Sequence, residues 1–510
     1  MKFYEIDNAL KEAVTAAEKP VRVKIEIQVG GHFESVFQQD ILEAYFFGLK
    51  ETAGGTTARG ELLLDNPQGI YSYSSVGAGT QVKVSFSLGD GLPNFHRFNF
   101  YIDDNGIQDI RGAGRKRYVS IGLRDLSAKL KKTDEARDWT APAVFTYSVV
   151  CDKTQPEKSL VHGIAQRAGL SAADIDCSTI PVTLPYVRLR RNIWSELSSL
   201  ATAYRCHLEC PTEKPLVFAH SPYQTEPLTD NEYSHTFTGQ NIFYLRKTAR
   251  AEMYRNSVRL KFNMPVSLDK QEIWRYDEPP VFYDEFLQPH YPFKYPLERE
   301  IEASKYEAKY KVKDTDGKER NVIFADEIDT QEEAENRLDY DGGAFSYSHY
   351  DTTTHHDRAI LTLRKENDGD IYQAAIFGRP IVLDLNRSCF LRDSEAVNQF
   401  GTVALNVTGS YFSDYEIDGK PQYEDWVIRE LAERIQNKKE ITIKTHKALF
   451  HARVGAKVKI AMSNEELAGT INAFSLRYRK DKAFISTFRL TEAEVNNEEQ
   501  NQQAGGNNDE

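Results

Sequence analysis

The nine residues VRVKIEIQV, at positions 21–29, alternate between apolar and polar side chains without a break. The valines and isoleucines fall on one side of an extended chain, and the charged or amide side chains fall on the other. Strict alternation over this length is typical of a half-buried β-strand. The stretch therefore predicts a strand with one face on an apolar core.

Further strand patterns, separated by turns, follow this strand. ELLLDNPQG ends in a turn at Gly69, GAGTQVKVSFSLGDG is a strand pattern between glycines, and FHRFNFYIDDNG and RKRYVSIGL continue the series. Tyr and Phe, 27 of each, outnumber the four Trp and four Met residues, and this bias also favours strands. Short strands between glycine turns are typical of a barrel or a sandwich. We predict a first β-barrel domain over residues 1–148, with a short helix at its N-terminus.

Helical patterns replace the strands over residues 149–225. In SLVHGIAQRAGL, Leu160, Ile164 and Ala168 lie on one helical face, and Gly169 follows as a C-terminal stop. NIWSELSSLATAYRC is a second amphipathic pattern, and LVFAH is a short strand pattern. This segment predicts a small α+β domain.

The rest of the chain divides into three segments. Residues 226–370, rich in Tyr, Asp, Glu and Lys, predict a β-rich insertion or decoration of unclear fold. Residues 371–492 predict a second β-barrel domain with a helix over 423–436, and IYQAAIFGRPIVLDL within it predicts two strands separated by a Gly-Arg-Pro break. Residues 493–510 are polar, acidic and rich in amides, which predicts a disordered acidic tail. The predicted fold class is mainly β with α+β.

The composition disfavours several classes of protein. The 64 Lys and Arg residues against 76 Asp and Glu residues give a formal charge of −12, whereas nucleic-acid binders normally carry a basic surface. No run approaches the roughly 18 apolar residues of a transmembrane helix, and the first residues lack the apolar stretch of a secretion signal. The five cysteines are odd in number and mostly far apart, so the sequence predicts reduced thiols rather than a disulfide framework. We expect a soluble protein made in a cytoplasm.

A search for catalytic motifs yields no P-loop, nucleophile elbow or zinc-protease motif. The richest metal candidate is HYDTTTHHD, whose possible ligands are His349, Asp351, His355, His356 and Asp357. A polar loop or an exposed strand is the better interpretation, because adjacent histidines on a strand point to opposite sides.

A second metal candidate is CHLEC, in which Cys206 and Cys210 flank His207. If the segment were helical, the two thiols could bind one zinc ion. No second cysteine pair follows it, so a reduced structural pair is the better interpretation.

Acidic pairs and basic clusters are also weak signals. Glu209 with Glu213 and Asp339 with Asp341 could act as acid and base, but 76 acidic residues make such pairs common. Two basic clusters are better explained as solvated strand edges than as phosphate contacts, and a protein contact stays open. These clusters are Arg111, Arg115, Lys116 and Arg117, and Arg188, Arg190 and Arg191. The sequence therefore predicts no catalytic residue, no metal ligand and no cofactor.

Two distant segments resemble each other. GAGTQVKV at 77–84 and RVGAKVKI at 453–460 both pass from a glycine turn into a strand of the form Val-Lys-Val/Ile. Taken alone, a duplicated module and two unrelated hairpins explain this echo about equally well.

Several stretches, in this order, resemble the hub and tail-tip proteins of tailed bacteriophages, the family of the contractile-phage baseplate hub and of late-control-type tail proteins. The stretches are ELLLDNPQG with GAGTQVKVSFSLG, IGLRDLSAKL, SLVHGIAQRAGL, IWSELSSLATAYRCHLEC, IFGRPI, DSEAVNQFGT, the helix 423–436 and VGAKVKI. The residues that carry the likeness are Asp125, Leu126, Leu130, Ala168, Gly169, Leu170, Trp194, Leu197, Gly378, Pro380 and Gly401. The resemblance covers residues 20–225 and 371–492 and leaves 226–370 unmatched.

This resemblance implies a structural hub protein without catalytic activity. Such proteins form trimeric rings with two tube-type β-barrels in each chain, so that six barrels join the sixfold tail tube or distal tail to the threefold tip or spike. The implied partners are further copies of the chain as a homotrimer, a distal tail or tail tube protein, a tip, spike or fibre protein, and the tape measure protein as a further candidate. DNA passes through the lumen without specific binding, which an acidic lumen would favour. The implied location is the virion tail, assembled in the host cytoplasm, and the echo is then interpreted as a duplicated barrel.

Two alternatives place an activity in residues 226–370. The segment could be a tail-associated peptidoglycan hydrolase. It could also be a carbohydrate-binding adhesin in which Tyr276, Tyr283, Tyr291 and Tyr295 stack on sugars. Packing of these rings inside a β domain is the better explanation of the tyrosines.

Overall fold

A computed structural model of the chain describes most of its 510 residues. The described residues are 2–15, 20–51, 55–66, 69, 71, 77–89, 91–111, 117–132, 144–210, 215–220, 233–249, 254–276, 304–313, 317, 319–328, 339–340, 345–347, 358–365, 371–417, 419–435, 439–463 and 465–493.

The N-terminal part is a helix followed by seven strands. The elements are α1 (Asn8–Thr15), β1 (Val21–Val29), β2 (His32–Ser35), β3 (Ile41–Lys50), β4 (Gly55–Asp65), β5 (Gln81–Leu88), β6 (Phe95–Arg111) and β7 (Arg117–Arg124). We call β1–β7 the first module. The predicted alternation of β1 is confirmed, since Val23 and Ile25 are fully buried while their neighbours are not. The N-terminal helix is confirmed too, with Leu10 and Val14 in the core.

The next part mixes helices and strands, as predicted. Its elements are α2 (Leu126–Lys132), β8 (Val144–Cys151), α3 (Leu160–Gln166), β9 (Ile175–Cys177), β10 (Ile180–Arg188), α4 (Ile193–Ala203), β11 (Cys206–Glu209) and β12 (Leu216–His220). β8 pairs with β10, whereas β9, β12 and β11 pair side by side, and β11 runs parallel to β4 of the first module.

The middle of the chain is built mainly of strands. The elements are β13 (His235–Thr238), β14 (Tyr244–Ala249), β15 (Ser257–Ser267), β16 (Gln271–Tyr276), β17 (Ser304–Lys309), β18 (Lys311–Lys313), β19 (Glu319–Asp326), β20 (Asp339–Tyr340), β21 (Phe345–Tyr347), β22 (Arg358–Lys365), β23 (Ile371–Arg392), α5 (Ser394–Phe400), β24 (Ala404–Gly409), β25 (Glu416–Ile417) and β26 (Lys420–Pro421). β15 and β23 form the centre of a seven-stranded sheet.

β23 corrects one prediction. The Gly-Arg-Pro break does not end the strand, because β23 continues through Pro380 and changes partners there. Before the proline it pairs with β16 and β20 and after it with β15, while β19 pairs with Arg379–Val382 across the proline itself. The carbonyl of Pro380 still accepts a hydrogen bond from the backbone N–H of Leu268, at 2.9 Å. The missing N–H of the proline is therefore tolerated where one set of partners gives way to the next.

The C-terminal part contains a long helix and four strands, α6 (Gln422–Ile435), β27 (Lys439–Thr445), β28 (Lys457–Met462), β29 (Glu465–Arg479) and β30 (Ile485–Ala493). The predicted helix is confirmed, and it buries Trp426 and Leu431. β14 pairs with β27, and β13 pairs with β28. We call these six strands, β13, β14 and β27–β30, the second module.

Six strands of each module have the same order. In the first module it is β1-β5-β6-β7-β4-β3, and in the second it is β13-β28-β29-β30-β27-β14. β2, which pairs with β1 at the end of the first module, has no counterpart among the described strands of the second. Strands that follow one another in the same order along the chain therefore occupy the same positions in the two sheets. One pair differs in direction, because β13 runs parallel to β28 whereas β1 runs antiparallel to β5. This order supports the duplication that the sequence echo predicts.

Neither module closes into a barrel among the described residues, so the predicted closed barrels are not confirmed. The mainly β fold with α+β parts is confirmed. The domain boundaries at 148, 225, 370 and 492 stay a prediction. β13 and β14 lie inside the predicted middle domain yet pair with strands of the last one.

Two apolar clusters form the core. The first fills the space between the two modules and includes Phe46, Phe86 and Phe488. The second lies under the α+β part and the central strands and includes Trp194 and Trp426. Each fully buried aromatic side chain stabilises the fold by roughly 1.5–3 kcal/mol. Because the first cluster draws on both modules, neither module has a separate core.

Candidate assembly site: the contact between the two modules

The two modules are joined by direct strand pairing. β29 pairs antiparallel with β3, so that Ala473–Arg479 run opposite Glu43–Leu49. Two arginines reinforce the pairing from β29. Arg477 and Arg479 reach the Glu43 carboxylate at 2.6 and 3.1 Å. The edge of the first module thereby becomes continuous with the sheet of the second.

Aromatic rings pack across the contact beneath this pairing. The ring centroids of Phe86 and Phe450 are 5.3 Å apart in a stacked arrangement. Those of Phe98 and Phe474 are 6.5 Å apart. Aromatic pairs at such distances contribute about 0.5–1.5 kcal/mol beyond the area they bury. The contact is therefore part of the folded core rather than a loose interface between domains.

Arg97 ties the two modules together by hydrogen bonds. Its side chain is buried, and it donates from Nε to the carbonyl of Phe450 and from Nη2 to that of Ala452, both at 2.9 Å. Burial lowers the pKa of Arg97 from its usual value. Two carbonyl acceptors and the ring of Tyr4, 4.4 Å from the guanidinium carbon, compensate for the lost water.

Next to the two hydrogen bonds of Arg97 lies a buried ionic junction. Its members are Tyr4, Arg97, His207, Glu209 and Arg453. Glu209 is its centre. One carboxylate oxygen lies 3.0 Å from Nε2 of His207, and the other accepts from Arg453 and, at 3.3 Å, from the hydroxyl of Tyr4. The junction brings together the N-terminal segment, the α+β part and both modules.

The charges of the junction are set by its own members. Burial alone would raise the pKa of Glu209, but His207 and Arg453 outweigh it and lower the pKa to about 2. Burial, assisted by Glu209, raises the pKa of Tyr4 to about 12. At neutral pH, the junction therefore contains an ionised carboxylate and a neutral phenol. A carboxylate held ionised in this way does not act as a general acid at neutral pH, and its contacts with Tyr4, His207 and Arg453 join distant parts of the chain.

Two partly buried histidines flank the junction. Burial lowers the pKa of His235 to about 4 and that of His451 to about 3. The ring of Phe3 lies against both, with centroids 6.2 Å from His235 and 5.1 Å from His451. Both imidazoles are therefore neutral at physiological pH, and their protonation in acid would place cations in an apolar contact.

The strand-to-helix turn that carries part of the resemblance also links two parts of the fold. Asp125 precedes α2, and its carboxylate accepts from the backbone N–H of Ser127 at 3.1 Å and from that of Ala58 in β4 at 2.5 Å. Burial raises the pKa of Asp125 to about 6. The turn thus caps a helix and fastens it to the first module.

The richest predicted metal cluster, residues 349–357, lies outside the described residues. CHLEC forms strand β11 rather than a helix, and the thiols of Cys206 and Cys210 are free. Burial raises the pKa of both thiols, so neither resembles an activated thiolate. This agrees with the structural interpretation of the pair.

Of the predicted acidic pairs, Glu213 and Asp341 lie outside the described residues. Their partners have different environments. Asp339 begins β20, whereas Glu209 is the centre of the buried ionic junction. The acid–base interpretation of either pair stays untested. Among the sugar-binding candidates, Tyr276 ends β16, and the other three tyrosines lie outside the described residues.

The basic clusters are partly engaged within the chain. Arg117 forms a two-bond contact with Asp109 on the neighbouring strand, at 3.0 and 2.7 Å. Arg191 pairs at 3.0 Å with Glu196, whose carboxylate is buried. These contacts favour the interpretation as strand edges over phosphate binding. Arg115 and Lys116 lie outside the described residues.

The prediction of reduced thiols is wrong for one pair. Cys151 and Cys177 form a disulfide between the ends of β8 and β9, 26 residues apart in sequence. An odd cysteine count argues against a framework of bridges but not against one bridge made by the fold. Cys206, Cys210 and Cys389 are free, as expected.

Each module leaves strand edges open, and two of these edges, one on each module, belong to β14 and β6. Among the described residues, no strand pairs with the outer side of β14, or with Ile107–Arg111 of β6 on the side away from β7. Both edges carry exposed apolar side chains. Phe243, Tyr244 and Ile110 are 50, 39 and 42 % exposed. An open, partly apolar strand edge is a ready surface for pairing with another chain.

Sequence reasoning missed the residues that hold the two modules together. Tyr4, Arg97 and Arg453 have no distinguishing local pattern, and Glu209 resembles any other acidic residue. In FHRFNF, strand alternation places Arg97 on the face opposite Phe98 and Phe100, where a polar residue is expected, so the pattern gives no signal that Arg97 is buried.

No helix in the described part of the chain is both long and apolar enough to cross a membrane. No protein-family model matches the chain, and no curated protein sequence matches it.

Solved structures do resemble it. A tail protein from Neisseria meningitidis is 11 % identical at a TM-score of 0.46, over 92 % of this chain and 96 % of that one. A 43 kDa prophage MuSo2 tail protein from Shewanella oneidensis is 10 % identical at 0.46, over 92 % and 98 %. An Escherichia coli component of the type VI secretion system, itself described as similar to bacteriophage T4 tail proteins, is 10 % identical at 0.39, over 93 % and 77 %. With TM-scores below 0.5, these likenesses record what the chain is similar to, namely tail proteins and a related secretion component, and carry no argument about its role.

Proposed function

We propose that this chain is a structural hub protein of a bacteriophage tail or a related injection machine. In this proposal it forms a trimeric ring in the virion tail, joins the sixfold tube or distal tail to the threefold tip or spike, and has no catalytic activity. The observation that carries the proposal is the shared strand order of the two modules within one chain. Three such chains supply six similar modules, which suits a junction between threefold and sixfold symmetry.

A glycine turn strengthens the equivalence of the modules. The N–H of Gly79 donates to the carbonyl of Ile102, and the N–H of Gly455 donates to that of Ile471, at 2.8 and 2.7 Å. The N–H of Ile102 in turn donates to the carbonyl of Thr80, and the N–H of Ile471 donates to the carbonyl of Ala456, both at 2.9 Å. In each, the strand register shifts directly after the isoleucine. These are the two segments whose sequences resemble each other.

The contact inside the chain suggests how copies meet. β3 of the first module pairs with β29 of the second. In the shared strand order, β3 corresponds to β14, and β29 corresponds to β6. The equivalent contact between copies would pair β14 of one chain with the open part of β6 in the next. Both of these edges are free in the described chain, and repetition of this head-to-tail contact produces a ring if the rotation closes.

Arg246 is the charge on β14 that tests this pairing. It is exposed, whereas Lys247 on the same strand already pairs with Glu465. The open part of β6 carries Arg111 and Asp109, and Asp109 pairs with Arg117 on β7. Arg246→Glu would bring a second acidic side chain to the edge that meets Asp109, and like charges on paired strands destabilise the pairing.

The remaining parts of the proposal concern partners. A distal tail or tail tube protein, a tip, spike or fibre protein and the tape measure protein are the neighbours that a hub would contact, and DNA would pass through its lumen. The net charge of −12 suits a lumen that repels phosphate.

Light scattering after size exclusion tests the ring. One chain has a mass of 58.2 kDa, and we expect particles of three chains, with images of the ring showing six similar lobes.

Arg246→Glu on β14 should shift the population toward monomer. Arg188→Glu, the same charge change at an exposed residue of β10, should leave the trimer intact. A chain that stays monomeric at every concentration would contradict the ring. A trimer insensitive to Arg246→Glu would contradict the β14 contact.

A further inference from the structure

Three elements of the α+β part bring two sulfur atoms and an imidazole together. Cys151 ends β8, Cys177 ends β9, and His162 lies in the first turn of α3. Their possible ligand atoms all lie within 4.8 Å of one another. The three residues are 0, 4 and 2 % exposed, so the cluster is closed to bulk solvent. We propose that these residues form a site for a thiophilic divalent cation such as Zn²⁺, which the chain binds when the two cysteines are thiols rather than a disulfide.

The site is pre-formed by apolar packing. Val150, Leu160 and Ile175, each next to the cluster in sequence or on the same element, belong to the second core. Val150 and Leu160 are fully buried. The backbones that carry the ligands are therefore held by the fold itself, and a cation would not have to order them.

The donor set is the one that zinc prefers. Two cysteine sulfurs and one imidazole form a three-ligand zinc site with a fourth position open, and zinc–sulfur bonds of about 2.3 Å place tetrahedral sulfur ligands roughly 3.8 Å apart. The two sulfurs are bonded to each other in the disulfide and would separate to that spread after reduction, within the 4.8 Å that the three ligand atoms span. Two thiolates also cancel the charge of the dication, so the occupied site adds no net charge to an apolar core.

Ser159 supplies an oxygen beside the cluster. Its hydroxyl lies 2.7 Å from Nδ1 of His162 and 3.7 Å from the sulfur of Cys151. A hydroxyl in this place orients the imidazole, as outer-shell groups do in metal sites, and the fourth position falls to a water.

The cation and the disulfide exclude each other. A dithiol reductant, of the kind that a cytoplasm contains, delivers two electrons and two protons and converts the disulfide into two thiols. Binding of the cation then releases those two protons and forms two metal–thiolate bonds. The chain would therefore carry the cation when it is made and the disulfide once it is oxidised.

Cobalt is the probe for the reduced site. The full chain is reduced with a phosphine, freed of the reductant by gel filtration without oxygen, and then titrated with Co²⁺. We expect thiolate-to-cobalt charge-transfer absorption in the near ultraviolet, visible bands of a tetrahedral site, saturation at one ion per chain, and displacement by Zn²⁺. The same chain with its disulfide intact should give none of these signals. That comparison needs no substitution, so it holds even where a variant fails to fold.

Variants then assign the ligands. Cys151→Ser and Cys177→Ser should each abolish the charge-transfer band, and His162→Ala should weaken Co²⁺ binding at least tenfold. Cys389→Ser, a change at a free thiol outside the cluster, should leave the spectrum unchanged. Absence of the band in the reduced wild-type chain would overturn the proposal. So would a band that survives in the Cys151→Ser/Cys177→Ser double variant.

Discussion

The ring of Phe474 lies where a side chain on Gly48 would have to be. A Cβ added to Gly48 would come within 2.5 Å of Cε1 of Phe474. Gly48 is on β3 and Phe474 on β29, and the two residues face each other directly in the strand pairing that joins the modules. The absence of a side chain at residue 48 therefore allows the first module to lie against an aromatic ring of the second.

Gly48→Ala should destabilise the whole chain, because the new methyl group and the Phe474 ring cannot share this space. Overpacking of this kind costs about 1–3 kcal/mol. The free energy of unfolding in urea measures the loss. Phe474→Leu removes part of the ring, so the double variant should be more stable than the sum of the two single changes predicts. Strictly additive losses would show that the two residues do not compete for space.

Glu209→Gln should be far more costly than the same change at Glu43. Removing the charge of Glu209 leaves Arg453, whose side chain is 19 % exposed, without its buried carboxylate partner, and breaking a buried ion pair from one side costs about 3–5 kcal/mol. Glu43 is partly exposed, and loss of such a pair costs about 1 kcal/mol or less. Chemical denaturation of both variants at pH 7 makes the comparison. Equal losses would mean that the buried ionic junction does not stabilise the contact.

Gly79→Ala and Gly455→Ala should have similar effects if the modules are structurally equivalent. Both glycines have positive φ angles, +79° and +84°, which cost an L-residue about 1–2 kcal/mol. Gly77 has open space around it and no positive φ, so Gly77→Ala serves as the control and should be nearly neutral. The thermal midpoints of the three variants provide the measurement. A large loss at one turn and none at the other would contradict the equivalence.

Local patterns in the sequence predict the individual elements well. The alternation over residues 21–29 predicts β1, and the apolar spacing around Trp426 predicts α6, because in both cases the burial of a face is written into consecutive residues. The glycine turns at 79 and 455 also predict equivalent positions in two modules, since a positive φ leaves a local mark in the sequence.

Contacts between distant residues could not be predicted in this way. Arg97 and its acceptor Phe450 are 353 residues apart, and neither has a local feature that names the other. The same holds for the disulfide, because only the fold places the end of β8 beside β9. Pro380 shows the opposite error. A proline is a strong local signal for a break, and the exchange of strand partners around it overrides that signal.

Acid should weaken the contact between the modules, and His235 and His451 should account for part of the loss. Their pKa values are lowered to about 4 and about 3 by burial, whereas the unfolded chain protonates histidine near the ordinary value of 6.5. Between pH 6.5 and 4, the unfolded state therefore binds more protons, and stability falls as the pH falls, by on the order of 2 kcal/mol for each histidine.

The double variant His235→Gln/His451→Gln should lose less stability than the wild type between pH 7 and pH 4, as measured by urea unfolding at several pH values. Glu209, with a pKa lowered to about 2, adds its own loss below its usual pKa near 4.5 in both proteins. Asp125 acts in the opposite direction, because burial raises its pKa to about 6 and its folded form takes up a proton first. Both contributions cancel in the comparison, so the difference in slope reports the two histidines.

His32→Gln, at an exposed histidine, should leave the slope unchanged. Equal slopes for the double variant and the wild type would show that the two partly buried imidazoles do not couple protonation to the joining of the modules.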